Sequence, residues 1–344
     1  MTDNDYMQLA IAEAKKGLGL TSPNPAVGSV IVKNGEILGK GWHRKAGLPH
    51  AEREAIADAL TRHEKSTLRG ATIYVTLEPC STTGKTPACV DGIIEAGIAK
   101  VIYGATDPNP AHVGGADAML KKHQIKVVSG VERVACESLI QAFAKRITTG
   151  LPWVIAKTAV SLDGRITRPS GEGQWLTGPE ARAEVHKIRA SVDAIITGGK
   201  TVRKDNPSLT IRGEAHSAEK SQPWRVILTQ SGKSSLPQDT NVFTDEHAER
   251  TIIHEDKTLT QTLKALAELG CNSVMLECGG ILMQQFLKQQ LIDELALFIA
   301  PIFTGGPDHG FGIGEHLDHS QFLTNNSHQQ LGNDILIRGI LKKS

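Results

Sequence analysis

The first 150 residues alternate between segments with a helical spacing of apolar positions and segments with a strand spacing. A helix is predicted over residues 3–16, because four apolar residues share one face, Tyr6, Leu9, Ala10 and Ala14. The same patterns predict strands over 26–32, 36–42, 71–77, 100–105 and 125–129, and helices over 51–60, 89–96, 116–122 and 131–149. Strands that alternate with helices indicate a sheet covered on both faces.

The pattern breaks at Gly150-Leu151-Pro152 and then restarts. After the break it predicts strands over 153–160, 193–197, 225–229, 251–254, 273–277, 295–300 and 334–340, and helices over 179–190, 259–269 and 280–289. A chain of 344 residues is long enough for two domains of about 100–200 residues each. We therefore predict two α/β domains, residues 1–150 and 151–344.

Composition narrows the class of protein. Hydrophobic residues make up 40% of the chain and the formal net charge is +1, which favours a globular protein and gives no bulk electrostatic reason for a nucleic-acid or membrane partner. Five scattered cysteines are an odd number and argue against a disulfide framework. With no signal-peptide pattern and no long apolar run, we expect a cytoplasmic protein.

One stretch carries a metal-binding pattern. His50-Ala51-Glu52 is followed by Pro79-Cys80 and, after eight more residues, by Cys89. One imidazole and two thiolates suit a catalytic zinc ion, whose fourth position is left for water. Glu52 lies beside the ligands and is suited to carry protons, as in zinc deaminases. The combination predicts zinc-dependent hydrolytic deamination, although each fragment alone is weak support.

A second motif lies in the later half. Glu277-Cys278-Gly279-Gly280 joins a predicted strand to a predicted helix. Backbone without side chains at a helix N-terminus is suited to bind phosphate. A lone Gly-Gly pair is weak support, so this motif by itself only suggests a cofactor or substrate phosphate.

Taken together, these motifs resemble the RibD family of bifunctional riboflavin biosynthesis enzymes. The resemblance rests on residues 21–28, 50–52 and 78–89 in the first half, and on residues 161–165, 174–178, 201–212 and 277–280 in the second. It implies a cytidine-deaminase-like three-layer α/β/α domain followed by a dihydrofolate-reductase-like α/β domain. It also implies two consecutive reactions on one phosphoribosylaminopyrimidine, a zinc-dependent ring deamination and an NADPH-dependent reduction of the ribosyl group to ribityl.

The resemblance also implies roles for individual residues. Zinc would be held by His50, Cys80 and Cys89, with Glu52 catalytic and with Asn24, His43 and Lys85 on the deaminase substrate. NADPH would contact Ala159, Trp175, Thr201, Asp205, Gly279 and Gly280. The reductase substrate would contact Arg189, Leu209, Arg212 and Glu277, and two arginines suit a grip on its phosphate. Lys157 and Asp205 are candidate proton donors.

Three departures from the family pattern affect substrate positions. Thr82-Thr83 stands where the family commonly has two imidazole or aromatic residues, so an imidazole contact with the substrate is expected to be lost. Gly173 replaces a serine near the reductase substrate. Gly115 replaces an arginine after Asp107-Pro108-Asn109-Pro110. The metal and proton-transfer positions are intact.

Two other functions stay open on the sequence. One is a reductase whose first domain has lost deaminase activity, which the intact His50, Glu52, Cys80 and Cys89 disfavour. The other is a nucleoside or nucleic-acid deaminase fused to an unrelated domain, which an aromatic content of 4% disfavours. For partners we expect a small phosphorylated pyrimidine and a homo-oligomer, without nucleic acid or membrane.

Overall fold

A computed structural model describes residues 1–82, 87–110, 112, 114–215, 219–311 and 316–342. The chain divides into two compact units, a first unit Met1–Gly150 and a second unit Leu151–Ser344. Each unit has its own sheet and its own buried apolar residues.

The first unit has a sheet with strand order β2-β1-β3-β4-β5 among the described residues. The hairpin strands β1 and β2 are antiparallel, whereas β3, β4 and β5 run parallel to one another. Helices on both faces bury the apolar side chains of the sheet. The strands are β1 Gly28–Lys33, β2 Glu36–Trp42, β3 Thr72–Leu77, β4 Lys100–Ala105 and β5 Lys126–Ser129; the helices are α1 Asp3–Lys15, α2 Ala51–Leu60, α3 Lys65–Leu68, α4 Cys89–Glu95, α5 Gly115–Lys122 and α6 Arg133–Thr149.

The second unit has a longer mixed sheet with strand order β12-β13-β11-β6-β10-β7-β8-β9 among the described residues. Its central strands are parallel, and β13 and β12 add two antiparallel strands at one side. The strands are β6 Trp153–Ser161, β7 Ala194–Gly198, β8 Trp224–Leu228, β9 Thr251–His254, β10 Ser273–Glu277, β11 Glu294–Ala300, β12 Phe322–Leu331 and β13 Asp334–Lys342; the helices are α7 Pro179–Ser191, α8 Gly199–Asp205, α9 Asn241–Thr244, α10 Leu259–Glu268 and α11 Gly280–Lys288.

The periodic elements are confirmed, with end points that differ by at most two residues. Helix α1 begins after a capping box in which Thr2 and Asp5 satisfy each other's backbone amides, which is the reason its start is sharp. The hairpin of β1 and β2 turns at Asn34-Gly35, where both residues have positive φ.

Strand β12 and the short helices α3, α8 and α9 are absent from the predicted elements. Nearly all of β12 is exposed and polar, so its sequence lacks the alternation of apolar and polar residues that predicts a strand. The strand forms because it pairs with β13 across the turn at Gly332-Asn333. A Gly-Asn pair is a recognised hairpin signal and was available in the sequence. The three helices have four to seven residues, too few for a helical period to stand out.

Two glycines on β2 set how closely α2 approaches the sheet. A Cβ on Gly39 would lie 2.3 Å from the Ala55 carbonyl oxygen, and one on Gly41 would lie 2.3 Å from the Ala55 amide nitrogen. Both distances are far below van der Waals contact, so only glycine allows this packing. The N-terminus of α2 is thereby held against the sheet, next to His50.

Candidate active sites

The metal-binding side chains of the first unit come from three separate segments of the chain. His50 is the N-cap residue of α2, Cys80 lies three residues beyond the end of β3, and Cys89 is the first residue of α4. Carboxyl ends of parallel strands and helix N-termini meet at one edge of an α/β sheet. The topology therefore brings together three residues that are up to 39 positions apart.

The geometry of the three donor atoms fits zinc. His50 Nδ1 lies 3.5 Å from Cys80 Sγ and 3.3 Å from Cys89 Sγ, and all three ligand atoms lie within 4.8 Å of one another. Tetrahedral coordination at ordinary Zn–N and Zn–S bond lengths requires nitrogen and sulfur about 3.5 Å apart. One nitrogen and two sulfurs are also the donors zinc prefers. These residues could therefore hold the ion without rearrangement.

Electrostatics of the cluster favour a thiolate at Cys80. Hydrogen bonds with Cys89 and then His50 outweigh burial and lower the pKa of the Cys80 thiol to about 4. The pKa of Cys89 is raised by its hydrogen bond with Cys80 and by burial, so the two sulfurs share a proton when no metal is present. The Cys89 backbone N–H also donates to Cys80 Sγ at 3.3 Å. A cation that displaces the shared proton completes the site.

Glu52 lies beside this cluster on the first turn of α2. Its side chain is buried at 3% exposure, and burial followed by the charge of Cys80 raises the pKa of its carboxyl. A carboxyl with a raised pKa, held next to a metal site, is suited to accept and return a proton near neutral pH.

The predicted substrate residues Asn24 and His43 are brought together next to His50. His43 is buried, and burial lowers its pKa, so the ring is neutral. Its Nδ1 donates to the Pro49 carbonyl oxygen at 3.0 Å, which leaves Nε2 to accept from the Asn24 Nδ2 amide at 3.0 Å. The His43 ring stands edge-on to the His50 ring, with centroids 5.2 Å apart. Lys85 lies outside the described residues.

The loss of an imidazole contact with the substrate at Thr82 stays a prediction, but another imidazole lies close to this residue. The ring of His112, which follows β4, lies against Thr82 with Nε2 at 3.2 Å from Thr82 Oγ1. The glycine at position 115 also has a local cause. A Cβ there would lie 2.4 Å from Ser81 Oγ, so any side chain at this position requires the Ser81 hydroxyl to move.

In the second unit a partly buried ion network surrounds Glu277 at the end of β10. Arg189 donates to both Glu277 carboxylate oxygens at 3.0–3.1 Å and to the Thr210 carbonyl oxygen at 2.9 Å. Lys157 Nζ lies 3.3 Å from Glu277 Oε1. Most donors of Arg189 are thus occupied inside the protein, and a grip of two arginines on the substrate phosphate stays a prediction.

Arg212 differs from Arg189 because its side chain is exposed. Its backbone N–H donates to His186 Nδ1 at 3.2 Å. Burial, with the charges of Arg189 and Arg212, lowers the pKa of His186 to about 4, so this ring is neutral and acts as an acceptor at neutral pH. Leu209, which is buried, adopts a positive φ of 51°, an unusual conformation for a branched residue and one found most often at functional sites.

The residues expected to contact NADPH lie partly together. Gly279 is the N-cap of α11 and Gly280 its first residue, while Thr201 lies in the first turn of α8. These helices follow β10 and β7, which are adjacent and parallel. A Cβ on Gly279 would meet nothing within 4 Å, so open space lies in front of the α11 amides, as a phosphate group requires.

A second glycine pair, Gly198-Gly199, was not recognised in the sequence. It opens α8 in the same way that Gly279-Gly280 opens α11, and the repetition of strand, Gly-Gly and helix was a signal for it. The other expected cofactor residues lie on separate elements: Ala159 within β6, Asp205 at the end of α8, and Trp175 on an exposed segment with its ring 5.6 Å from the Arg182 guanidinium.

Gly173 has a φ of +93° and open space around it. Only glycine adopts this backbone conformation without strain. A serine here, as in the family pattern, would therefore either strain this turn or change its shape.

Each unit matches a known protein family. The RibD C-terminal domain matches residues 152–337, and the cytidine and deoxycytidylate deaminase zinc-binding region matches residues 1–105. The riboflavin biosynthesis protein RibD of Synechocystis is 38% identical, covering 99% of this chain and 97% of that protein.

Two of the solved structures that are similar to this chain each cover 99% of it. The RibD structure from Acinetobacter baumannii, form 1, superposes with a TM-score of 0.89 at 36% identity, covering 99% of each chain. A diaminohydroxyphosphoribosylaminopyrimidine deaminase/5-amino-6-(5-phosphoribosylamino)uracil reductase from Thermotoga maritima gives a TM-score of 0.87 at 35% identity, with the same coverage. The likeness confirms the fold class, a deaminase-like domain followed by a reductase domain. This chain belongs to the RibD family of bifunctional riboflavin biosynthesis enzymes.

Proposed function

We propose that the first unit deaminates diaminohydroxyphosphoribosylaminopyrimidine to 5-amino-6-(5-phosphoribosylamino)uracil, and that the second unit reduces the ribosyl group of that product to ribityl. We assign these steps to residues 1–150 and 151–344. The single observation that carries the proposal is the convergence of His50, Cys80 and Cys89 with the buried carboxyl of Glu52 beside them. Zinc and NADPH are the cofactors.

In the deaminase, His50, Cys80 and Cys89 hold zinc, which supplies an activated water when bound. Glu52 takes a proton and returns it to the departing ammonia, because its carboxyl is buried next to the ligands and has a raised pKa. Asn24 is oriented by the neutral ring of His43, which supports its role in reading the pyrimidine edge. Lys85 is assigned to the substrate by sequence resemblance alone.

In the reductase, Gly279, Gly280 and Thr201 would hold NADPH, with Ala159, Trp175 and Asp205 as further contacts, and the bound cofactor would supply the hydride. Glu277 and Leu209 contact the substrate. Arg189 positions Glu277, because its guanidinium donates hydrogen bonds to Glu277 and to the Thr210 carbonyl oxygen. The exposed Arg212 is then the arginine that holds the phosphate. Lys157 is favoured over Asp205 as proton donor, because its ammonium is held 3.3 Å from Glu277.

We further propose a cytoplasmic homo-oligomer that binds a small molecule and no nucleic acid. Metal-binding thiolates persist in a reducing compartment, which supports the location. The exposed edge strand β12 supports self-association, because an unpaired edge is a ready surface for another chain. Within the described part of the chain, every helix is too short or too polar to span a lipid bilayer.

The proposal is tested with the full chain before and after removal of metal by a chelator. We expect one zinc per chain, ammonia release on the diaminopyrimidine phosphate, and NADPH oxidation on the deaminated product. Chelation should abolish the first reaction and leave the second. NADPH oxidation without ammonia release in the zinc-loaded chain would support a reductase with an inactive first unit, and faster ammonia release from cytidine would support a nucleoside deaminase.

A further inference from the structure

A carboxylate, an imidazole and a hydroxyl are connected in series next to the metal-binding cluster. Asp107 Oδ2 lies 3.3 Å from His112 Nδ1, and His112 Nε2 lies 3.2 Å from Thr82 Oγ1. Thr82 lies two residues beyond Cys80, on the segment between the two cysteines of the cluster. The proposed mechanism assigns no role to these three side chains.

The loop that carries His112 is attached to the segment on both sides of Cys80. The buried Glu78 carboxylate accepts the Asp107 N–H at 3.3 Å and the Gly114 N–H at 2.9 Å. Thr82 makes the second attachment through His112. Glu78 and Thr82 flank Cys80 at a distance of two residues, so Asp107, His112 and Gly114 are fixed to the chain on both sides of Cys80.

The hydrogen bond between His112 and Asp107 determines the direction of the hydrogen bond between His112 and Thr82. The Asp107 carboxylate is buried at 8% exposure and also accepts the Asn109 N–H at 2.9 Å. A carboxylate only accepts, so His112 Nδ1 is the donor, and when the ring carries a single proton Nε2 accepts from the Thr82 hydroxyl. The Thr82 hydrogen is then committed to His112, and its oxygen presents lone pairs to an incoming molecule.

We propose that Thr82 is a substrate-contacting residue of the deaminase, whose oxygen accepts a hydrogen bond from an amino group of the diaminopyrimidine. His112 and Asp107 are positioning residues that hold the hydroxyl in that orientation. Thr82 is exposed, whereas the ring that orients it is mostly covered, with 32% of the side chain exposed. This inference rests on the deaminase function proposed for the first unit.

The test uses the zinc-loaded full chain and ammonia release at varied substrate concentration. Thr82→Val removes the hydroxyl at constant shape, and Thr82→Ser retains it. We expect Thr82→Val and His112→Ala each to raise KM about five- to tenfold, as the loss of one hydrogen bond implies, with kcat within about twofold because the contact is equal in ground and transition states. The double variant should be no worse than either single variant by more than about twofold.

Three controls separate contact from structure. Thr82→Ser should restore a KM near that of the parent, and His123→Ala, an exposed histidine at the end of α5, should change nothing. Zinc content and NADPH oxidation on the deaminated product should stay at parent values in every variant. An unchanged KM in Thr82→Val, multiplicative effects in the double variant, or failure of serine to rescue would each overturn the inference. A parent chain that releases no ammonia would instead overturn the deaminase function itself.

Discussion

At the scale of single residues, Glu52 is distinguished from the metal ligands by position and by environment. It follows His50 by two residues, its side chain is buried, and burial raises the pKa of its carboxyl. Glu52 supplies none of the three donor atoms. Replacing its carboxyl by a neutral amide should therefore leave the metal ligands in place.

We predict that Glu52→Gln retains zinc and lowers ammonia release by about a hundredfold or more, the usual contribution of a general acid or base. Bound zinc and ammonia release are measured on the same preparation. The matched control is Glu54→Gln, on the same helix but paired with Arg44 at 3.4 Å near the surface, which should leave both values unchanged. Loss of zinc in Glu52→Gln, or undiminished turnover, would contradict the assigned role.

Glu277 gives a pH dependence whose sign follows from its neighbours. Burial by itself raises the pKa of Glu277, but the charges of Arg189 and Lys157 overcome burial and lower the pKa to about 2. The ordinary value is 4.5. Because the folded-state pKa is the lower one, the carboxylate stabilises the fold above pH 4.5, and this stabilisation is lost as the pH falls from there toward 2.

We therefore predict that Glu277→Gln lowers the free energy of unfolding by about 3–5 kcal/mol at pH 7, the cost of leaving buried charges without their partner. The difference from the parent should shrink at pH 3. Urea unfolding at the two pH values measures it, and Glu268→Gln, an exposed residue of α10, is the control. A difference of equal size at both pH values would show that the ionised carboxylate is not the source of the stability.

At the scale of elements, the deaminase site depends on how closely one helix lies on one strand. Helix α2 begins directly after His50 and carries Glu52, and it packs on β2 where Gly39 and Gly41 have no side chains. A Cβ on Gly41 would lie 2.6 Å from the Ala51 carbonyl oxygen as well as 2.3 Å from the Ala55 amide nitrogen. Both contacts are with backbone, so the helix itself would have to move.

We predict that Gly41→Ala lowers the stability of the first unit by about 1–3 kcal/mol, as overpacking does, and weakens zinc retention by displacing His50. Zinc is measured after dialysis, and the thermal midpoint is measured in parallel. Lys40→Ala, whose side chain is exposed on the opposite face of β2, is the control and should preserve both. Full zinc retention and an unchanged midpoint in Gly41→Ala would show that α2 adapts without affecting the metal site.

At the scale of the whole molecule, the two activities belong to two units with separate sheets and separate cores. The first unit ends at Gly150, which has a positive φ of 71° and caps α6, and the second begins at Leu151. A glycine C-cap ends a helix without strain. The strand order of each sheet uses strands from one unit only, so no described strand is shared between them.

We predict that residues 151–344 fold alone and bind NADPH without zinc. Circular dichroism checks the fold, and a fluorescence titration with NADPH checks binding. Gly279→Val in the same fragment should fold, because a Cβ there meets nothing within 4 Å, yet bind NADPH more weakly, because the side chain covers the α11 amides. A folded fragment that gives no titration would show that cofactor binding requires the first unit.

The periodic elements and the donor set follow from the sequence alone. Helix α2 and strand β10 were predicted at the bounds observed, since their apolar spacing is a local property that packing only reinforces. His50, Glu52, Cys80 and Cys89 were recognisable because a metal site restricts residue types severely.

Tertiary structure alone decided contacts between distant segments. Arg189 and Glu277 pair across 88 positions, and His112 reaches Thr82 across 30. No pattern in either segment indicates its partner, because an arginine or histidine that pairs with a distant side chain has the same local sequence as a solvated one. Strand β12 exists because β13 supplies its hydrogen bonds, and a Cβ at Gly115 would meet the Ser81 hydroxyl. Spacing along the chain therefore determines elements and ligands, whereas the packing of one element on another determines which side chains meet.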